Sequence, residues 1–242
     1  MSDWLDRTNL LLGPEKLDQL KNANVLVVGL GGVGAVAAEM ICRAGVAKMT
    51  IADGDVVETT NRNRQLPALK TTEGKPKTEV VGQRLLDINP GLELNSVFEF
   101  IRDEKAVELL KSQPFDYVID AIDTLSPKVF FIYHCLELGL NLVSSMGAGG
   151  KMDPSKVGIA DISKSHNCKL SRMIRKRLAK LGIKKGFKVV FSPEEVDENA
   201  IRLEEGQNQK SSVGTISYMP SVFGCFVASV VIKELTNSGT EK

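Results

Sequence analysis

The stretch Val25-Leu-Val-Val-Gly-Leu-Gly-Gly-Val-Gly34 constrains this chain more than any other. A fully apolar run ends in closely spaced glycines, and those lead into Ala35-Val-Ala-Ala-Glu-Met, a small-residue helix able to lie close on a sheet. Buried strand, tight turn and helix start, in that order, form a phosphate-binding unit. The glycines let the backbone approach oxygen atoms, and the free N–H groups of the helix start carry partial positive charge. Gly29, Gly31, Gly32 and Gly34 are therefore candidate nucleotide contacts. A turn used only for helix–sheet packing is the weaker reading. A second apolar run, Met49-Thr-Ile-Ala52, ends in Asp53, 19 residues after Gly34, where an acid meets ribose hydroxyls.

The remaining chain alternates apolar runs with amphipathic ones. A helical start over 4–22 offers Leu10, Leu11, Leu12, Leu17 and Leu20 as buried anchors. Strands are predicted at 24–28, 48–52, 92–98, 115–119, 140–143 and 157–162. Helices are predicted at 32–44, 75–89, 104–111 (capped by Asp103) and 127–138. This order predicts an α/β fold: a Rossmann-like, doubly wound, mostly parallel sheet with helices on both faces. After residue 150 the texture changes. A run of ten Lys/Arg without an acid fills 164–188, an acidic stretch occupies 193–205, and 206–212 reads as a mobile polar loop. A strand over 214–219 and a helix over 222–235 close the chain. Both are too apolar to stand alone, so 151–242 reads as a C-terminal elaboration of a nucleotide-binding core, 1–150, within a single domain.

Composition narrows the class. A net charge of +1 over 242 residues gives no whole-molecule field for nucleic acid or membrane. Cys42, Cys135, Cys168 and Cys225 form no C-x-x-C pair, which speaks against structural zinc and against a disulfide framework. The N-terminus lacks a signal-peptide pattern, and the apolar run 222–232 is too short to span a bilayer. A cytoplasmic location and no membrane partner are the resulting expectations.

The residues after Asp53 set the chemistry. Asp55, then Asn61-Arg-Asn-Arg64-Gln65, then Lys77 arrive where an ordinary dinucleotide-binding domain begins its next helix. A nicotinamide enzyme usually keeps a catalytic His or Lys beside the ring, and His134 and His166 are poorly placed for that. Arginine's planar fork and a nearby lysine instead suit a triphosphate whose leaving pyrophosphate gathers charge. Asp120 and Asp123 lie just past the fourth strand, where open parallel sheets place ligands. Asp123 is the better magnesium ligand, and Asp120 is either a second nucleotide contact or a helix cap.

Together these motifs resemble the adenylating domain of the E1-like superfamily: Gly-x-Gly-Gly-x-Gly, Asp53-Gly-Asp55, Asn61-x-x-Arg64-Gln65, Gly74-x-Pro76-Lys77 and Asp120-Ala-Ile-Asp123. The resemblance implies ATP and Mg²⁺ as cofactors. Asp53 is implied in ribose binding with Asp55 beside it, Asn61, Arg64, Gln65 and Lys77 in phosphate contacts, and Asp123 in metal binding. Arg7, six residues before Gly13, is similar to an N-terminal arginine that enters the partner subunit's ATP site, which implies a homodimer.

Two further motifs narrow the resemblance. Ser144-Ser-Met-Gly147-Ala148-Gly149-Gly150-x-x-Asp153-Pro154, and the run from Lys210 to Gly224, are similar to the tRNA threonylcarbamoyladenosine dehydratase branch. The implied substrate is tRNA carrying threonylcarbamoyladenosine, with a sulfur-transfer or redox partner left open. The basic run supports it: Leu170, Ile174, Leu178 and Leu181 share one helical face, leaving Lys169, Arg172, Arg175, Lys176 and Lys180 for a phosphate backbone. A solvated face neutralised by the acidic stretch is the bland alternative. Cys168 lies where related activators carry a reactive cysteine, but alone it is assigned no role. Activation of a small carrier protein, a non-catalytic nucleotide-binding scaffold and a nicotinamide oxidoreductase are the competing functions.

Overall fold

The computed structural model describes residues 4–203 and 211–237. Gly13, at φ 82°, breaks the helical start into α1 (Asp6–Leu12) and α2 (Pro14–Asn22). Leu17 and Leu20 are buried as anticipated, whereas Leu10 and Leu11 are 86% and 83% exposed. Three consecutive leucines wrap around a helix, so only Leu12 of that run packs against the core.

In chain order come β1 (Asn24–Val28), α3 (Gly34–Arg43), β2 (Lys48–Ala52), α4 (Lys77–Ile88), β3 (Glu93–Val97), α5 (Glu104–Lys111), β4 (Tyr117–Asp120), α6 (Leu125–Glu137) and β5 (Leu142–Ser145). The chain continues through β6 (Gly158–Asp161), α7 (Lys169–Lys180), β7 (Lys188–Phe191), β8 (Ile201–Leu203), β9 (Ser211–Val213) and α8 (Tyr218–Asn237). Seven strands form one sheet in the order β3-β2-β1-β4-β5-β7-β6. Every pairing is parallel except β6 with β7, and β8 with β9 forms a separate antiparallel ribbon.

All positions of β1 and β4 are buried, as a parallel sheet covered on both faces requires. One face packs α2, α3, α4 and α8 through residues such as Leu20, Ile41, Leu85 and Phe223. The other packs α5, α6 and α7 through Leu109, Phe131 and Ile174. Strand order reverses at β1, which pairs with both β2 and β4, and such a reversal opens a crevice at the carboxyl ends of the strands.

Several elements differ from the sequence reading. Lys188-Val-Val-Phe191 forms a strand inside the sheet; its leading lysine made it look like the tail of the basic run. No strand occupies 214–219: β9 ends at Val213 and α8 begins at Tyr218, with Pro220 in the first turn, where its missing N–H costs nothing. Asp103 holds the N-cap position of α5 at φ 53° without a side-chain cap bond. The loop expected over 206–212 lies, for 206–210, outside the described residues. By length and composition α8 is long and apolar enough to cross a membrane, with mean hydropathy 1.4. In this fold Met219, Phe223, Val227 and Val231 are buried against α3.

Candidate active site

The crevice is built from strand ends. The glycine turn comes after β1, Asp53 after β2 and the Asp120–Asp123 segment at the end of β4, while Lys77 opens α4. Three of the glycines are fixed by neighbouring protein. A Cβ would lie 1.8 Å from the Gly29 carbonyl oxygen at Gly34, 2.6 Å from the Ala121 carbonyl oxygen at Gly29, and 2.7 Å from Pro220 at Gly32. Gly31 differs: its nearest neighbour is Gln65 Nε2 at 3.6 Å, so the space over this one residue is open for close approach of a ligand.

Asp53 ties the turn to β2. Leu30 N donates to its Oδ2 at 2.6 Å and Asp55 N to its Oδ1 at 2.7 Å. Burial pushes the Asp53 pKa up, opposed by the Lys77 charge and by those two N–H donors. Lys77 is buried along its stem and its Nζ lies 2.9 Å from the exposed Asp55 carboxylate. Asn61 is buried, its Oδ1 accepting from Glu58 N at 3.1 Å. Arg64 rests on its own loop, with Nη1 donating to Thr60 O at 2.9 Å and to Asn63 Oδ1 at 2.8 Å. Asn63 Nδ2 in turn donates to Thr215 O at 2.9 Å, so the segment before α8 holds this loop. Gln65 is buried and its Oε1 is the one buried side-chain polar atom without a partner among the described residues. Such an orphan in a native site calls for a bound group or water.

The two acids after β4 separate. Asp120 is fully buried, which corrects its assignment to the nucleotide surface. Its Oδ2 lies 2.8 Å from Lys128 Nζ, itself fully buried, and accepts from Ser144 Oγ at 2.7 Å. Lys128 also donates to Ile122 O at 3.0 Å, so this ion pair shapes the segment that carries Asp123. Asp123 is exposed and makes no hydrogen bond or ion pair among the described residues. Those residues hold no group of three or more His, Cys, Asp or Glu able to cage a metal. A single free carboxylate beside a phosphate site nonetheless fits Mg²⁺, which keeps waters and binds through one or two carboxylates plus phosphates.

Beyond the nucleotide crevice, Lys169, Arg172, Lys176 and Lys180 are exposed on α7. Arg175 is not among the free cations: its Nη1 donates to Ser165 O at 2.6 Å and it is half-buried. Arg177 Nη1 donates to Ser126 Oγ at 2.7 Å, fastening α7 beside the first turn of α6, three residues after Asp123. Cys168 is buried, and Arg7 is exposed on α1. The loop after β5 is clamped reciprocally. Buried Lys151 donates to Glu194 O while the Glu194 carboxylate accepts from Asp153 N at 2.9 Å. Burial pushes the Lys151 pKa down, against the opposing charges of the Glu194 and Glu195 carboxylates. Sequence reasoning missed Lys128, Asn63 and Pro220. Asn63 and Pro220 carried a signal, lying inside the 61–65 and 210–224 motifs, whereas Lys128 carried none.

The geometry can be set against known proteins. A tRNA threonylcarbamoyladenosine dehydratase of Bacillus subtilis (strain 168) is 40% identical over 243 residues, covering 97% of this chain and 95% of that protein. A crystal structure of the E. coli tRNA N6-threonylcarbamoyladenosine dehydratase in complex with ATP superposes with TM-score 0.86 at 33% identity, over 95% of this chain and 92% of that one. A sulfur carrier protein adenylyltransferase of Thermus thermophilus is 36% identical but covers only 54% of this chain and 48% of its own. The ThiF family pattern matches residues 5–242, from the first helix through the last, and the chain belongs to the ThiF family.

Proposed function

We propose that this protein is a tRNA threonylcarbamoyladenosine dehydratase, which spends ATP to close the modified side chain of an anticodon-loop adenosine into a cyclic form. The observation that carries this reading is the extent of likeness. Similarity to dehydratases runs through nearly the whole chain, including the basic helix fastened beside Asp123, whereas the likeness to a carrier-protein adenylyltransferase covers about half.

In this reading the substrate carboxylate attacks the α-phosphorus of ATP, the bond to pyrophosphate breaks, and an acyl adenylate forms. Asp53 takes the ribose, and the open backbone at Gly31 lets the phosphates approach the N–H groups that begin α3. Arg64, Lys77, Asn61 and Gln65 surround the phosphates, so Arg64 and Lys77 exchange their present partners for developing pyrophosphate charge. Asp123 would hold Mg²⁺, which would supply charge neutralisation at the phosphates. Asp55 releases Lys77, and Asp120 holds the segment without touching ligand. An internal nucleophile of the same side chain then attacks the activated carbonyl and expels AMP, a step whose main requirement is position.

Exposed Leu10 and Leu11 support a homodimer, since they lie with Arg7 on the outer face of α1 and offer a second copy an apolar seat beside that arginine. Lys169, Arg172, Lys176 and Lys180 take the RNA backbone, and the reaction is cytoplasmic. The test measures AMP release with ATP and one of three additions: tRNA carrying threonylcarbamoyladenosine, the unmodified tRNA, or a carrier protein ending in glycine. Stimulation by the modified tRNA alone is expected. Equal AMP release with all three, or stimulation by the carrier, overturns the reading.

A further inference from the structure

Helices α6 and α7 lie side by side on the same face of the sheet, joined by the Arg177–Ser126 hydrogen bond at 2.7 Å. One turn after Ser126, Phe130 stands 47% exposed although its neighbours Val129, Phe131 and Ile132 are buried. Phe130 stacks on no other ring among the described residues. An aromatic side chain held in water beside a cationic helix leaves a ring face open to stacking, and the surrounding charge selects the chemistry of a ligand there. The run 164–188 carries ten Lys/Arg and no acid, and two of the ten, Lys184 and Lys185, line the open groove farther along α6, with Glu137 as its one acid.

We propose that Phe130 is a stacking platform for an unpaired base of the RNA substrate, one turn from the Arg177 guanidinium held at Ser126, while Lys176 and Lys180 hold the adjoining backbone. This rests on the dehydratase reading and names a surface that reads the substrate outside the ATP crevice. Sequence-competent RNA recognition uses loops whose splayed bases stack on aromatic rings and arginine planes.

The experiment compares binding of a threonylcarbamoyladenosine-bearing anticodon stem-loop to the full-length protein and to three variants across a salt series. Phe130→Ala is expected to weaken binding about 5- to 150-fold, the range for loss of one base–aromatic stack, with an unchanged salt slope. Phe130→Trp should retain parental affinity. The double variant Lys176→Ala/Lys180→Ala should instead flatten the slope by about two units, because it removes phosphate contacts. Thermal stabilisation by ATP should be equal in all four proteins. Parental affinity in Phe130→Ala, a loss that tryptophan does not restore, or a changed sedimentation coefficient in Phe130→Ala each overturns the stacking platform. If the lysine variant still flattens the slope in any of those cases, only the platform falls. If the parent fails to bind the stem-loop, the dehydratase reading falls with it.

Discussion

Arg64→Ala is expected to lower tRNA-dependent AMP formation by about 10²- to 10³-fold, the loss typical of removing one preorganised donor from developing charge. The melting temperature should stay at the parental value. Among the described residues the Arg64 side chain donates only to Thr60 O and Asn63 Oδ1 of its own loop, near the surface, where such contacts add little stability. Arg64→Lys separates charge from shape: it keeps a cation but loses the planar fork that meets two phosphate oxygens at once, so an intermediate rate is expected. Steady-state AMP release paired with thermal unfolding of the same preparations checks this. Parental turnover in Arg64→Ala would remove the arginine from the phosphate site and with it the case for ATP cleavage there.

The largest stability effect is expected at Lys128. Lys128 and Asp120 are both fully buried and 2.8 Å apart, and Lys128 also holds the Ile122 carbonyl. Lys128→Met leaves the Asp120 carboxylate unpaired in the interior, and breaking one half of a buried pair costs about 3–5 kcal/mol. The double variant Lys128→Met/Asp120→Leu should recover much of that loss, because a buried pair replaced as a unit by apolar groups is often close to neutral. Urea unfolding of the two single variants and the double variant closes the cycle. Even the recovered double variant should turn over slowly, since the segment carrying Asp123 loses the bonds that shape it. A single Lys128→Met variant as stable as the parent would contradict the pair's structural role.

The region from 24 to 123 was largely legible in the sequence because its elements are locally encoded. An apolar run, a glycine turn or a strand-end acid states its geometry within a few residues, and the order of strands and helices came from that. What escaped depended on distant partners. Asp120 has the residue type and position of a nucleotide ligand, yet Lys128 and Ser144 enclose it. Arg175 sits among surface cations in the sequence, yet the Ser165 carbonyl captures it. Leu10 and Leu11 are apolar but lie on the outer side of a helix that Gly13 cuts short. Lys188-Val-Val-Phe191 took its character from the basic run before it rather than from the sheet gap between β5 and β6 that it fills. Thr215 and Pro220 reach the Arg64 loop and the glycine turn only through the packing of α8 on α3, where a Cβ on Gly224 would lie 2.6 Å from Val33 O.

Weighing the nucleosides of the substrate tests the central claim most directly. The protein is incubated with ATP and tRNA carrying threonylcarbamoyladenosine, the RNA is digested, and the modified nucleoside is measured by mass spectrometry beside the AMP formed. The account predicts loss of one water from that nucleoside, with one AMP and one pyrophosphate formed per conversion and no conversion without ATP. AMP accumulating while the nucleoside keeps its mass, or water lost equally well in the absence of ATP, would contradict it.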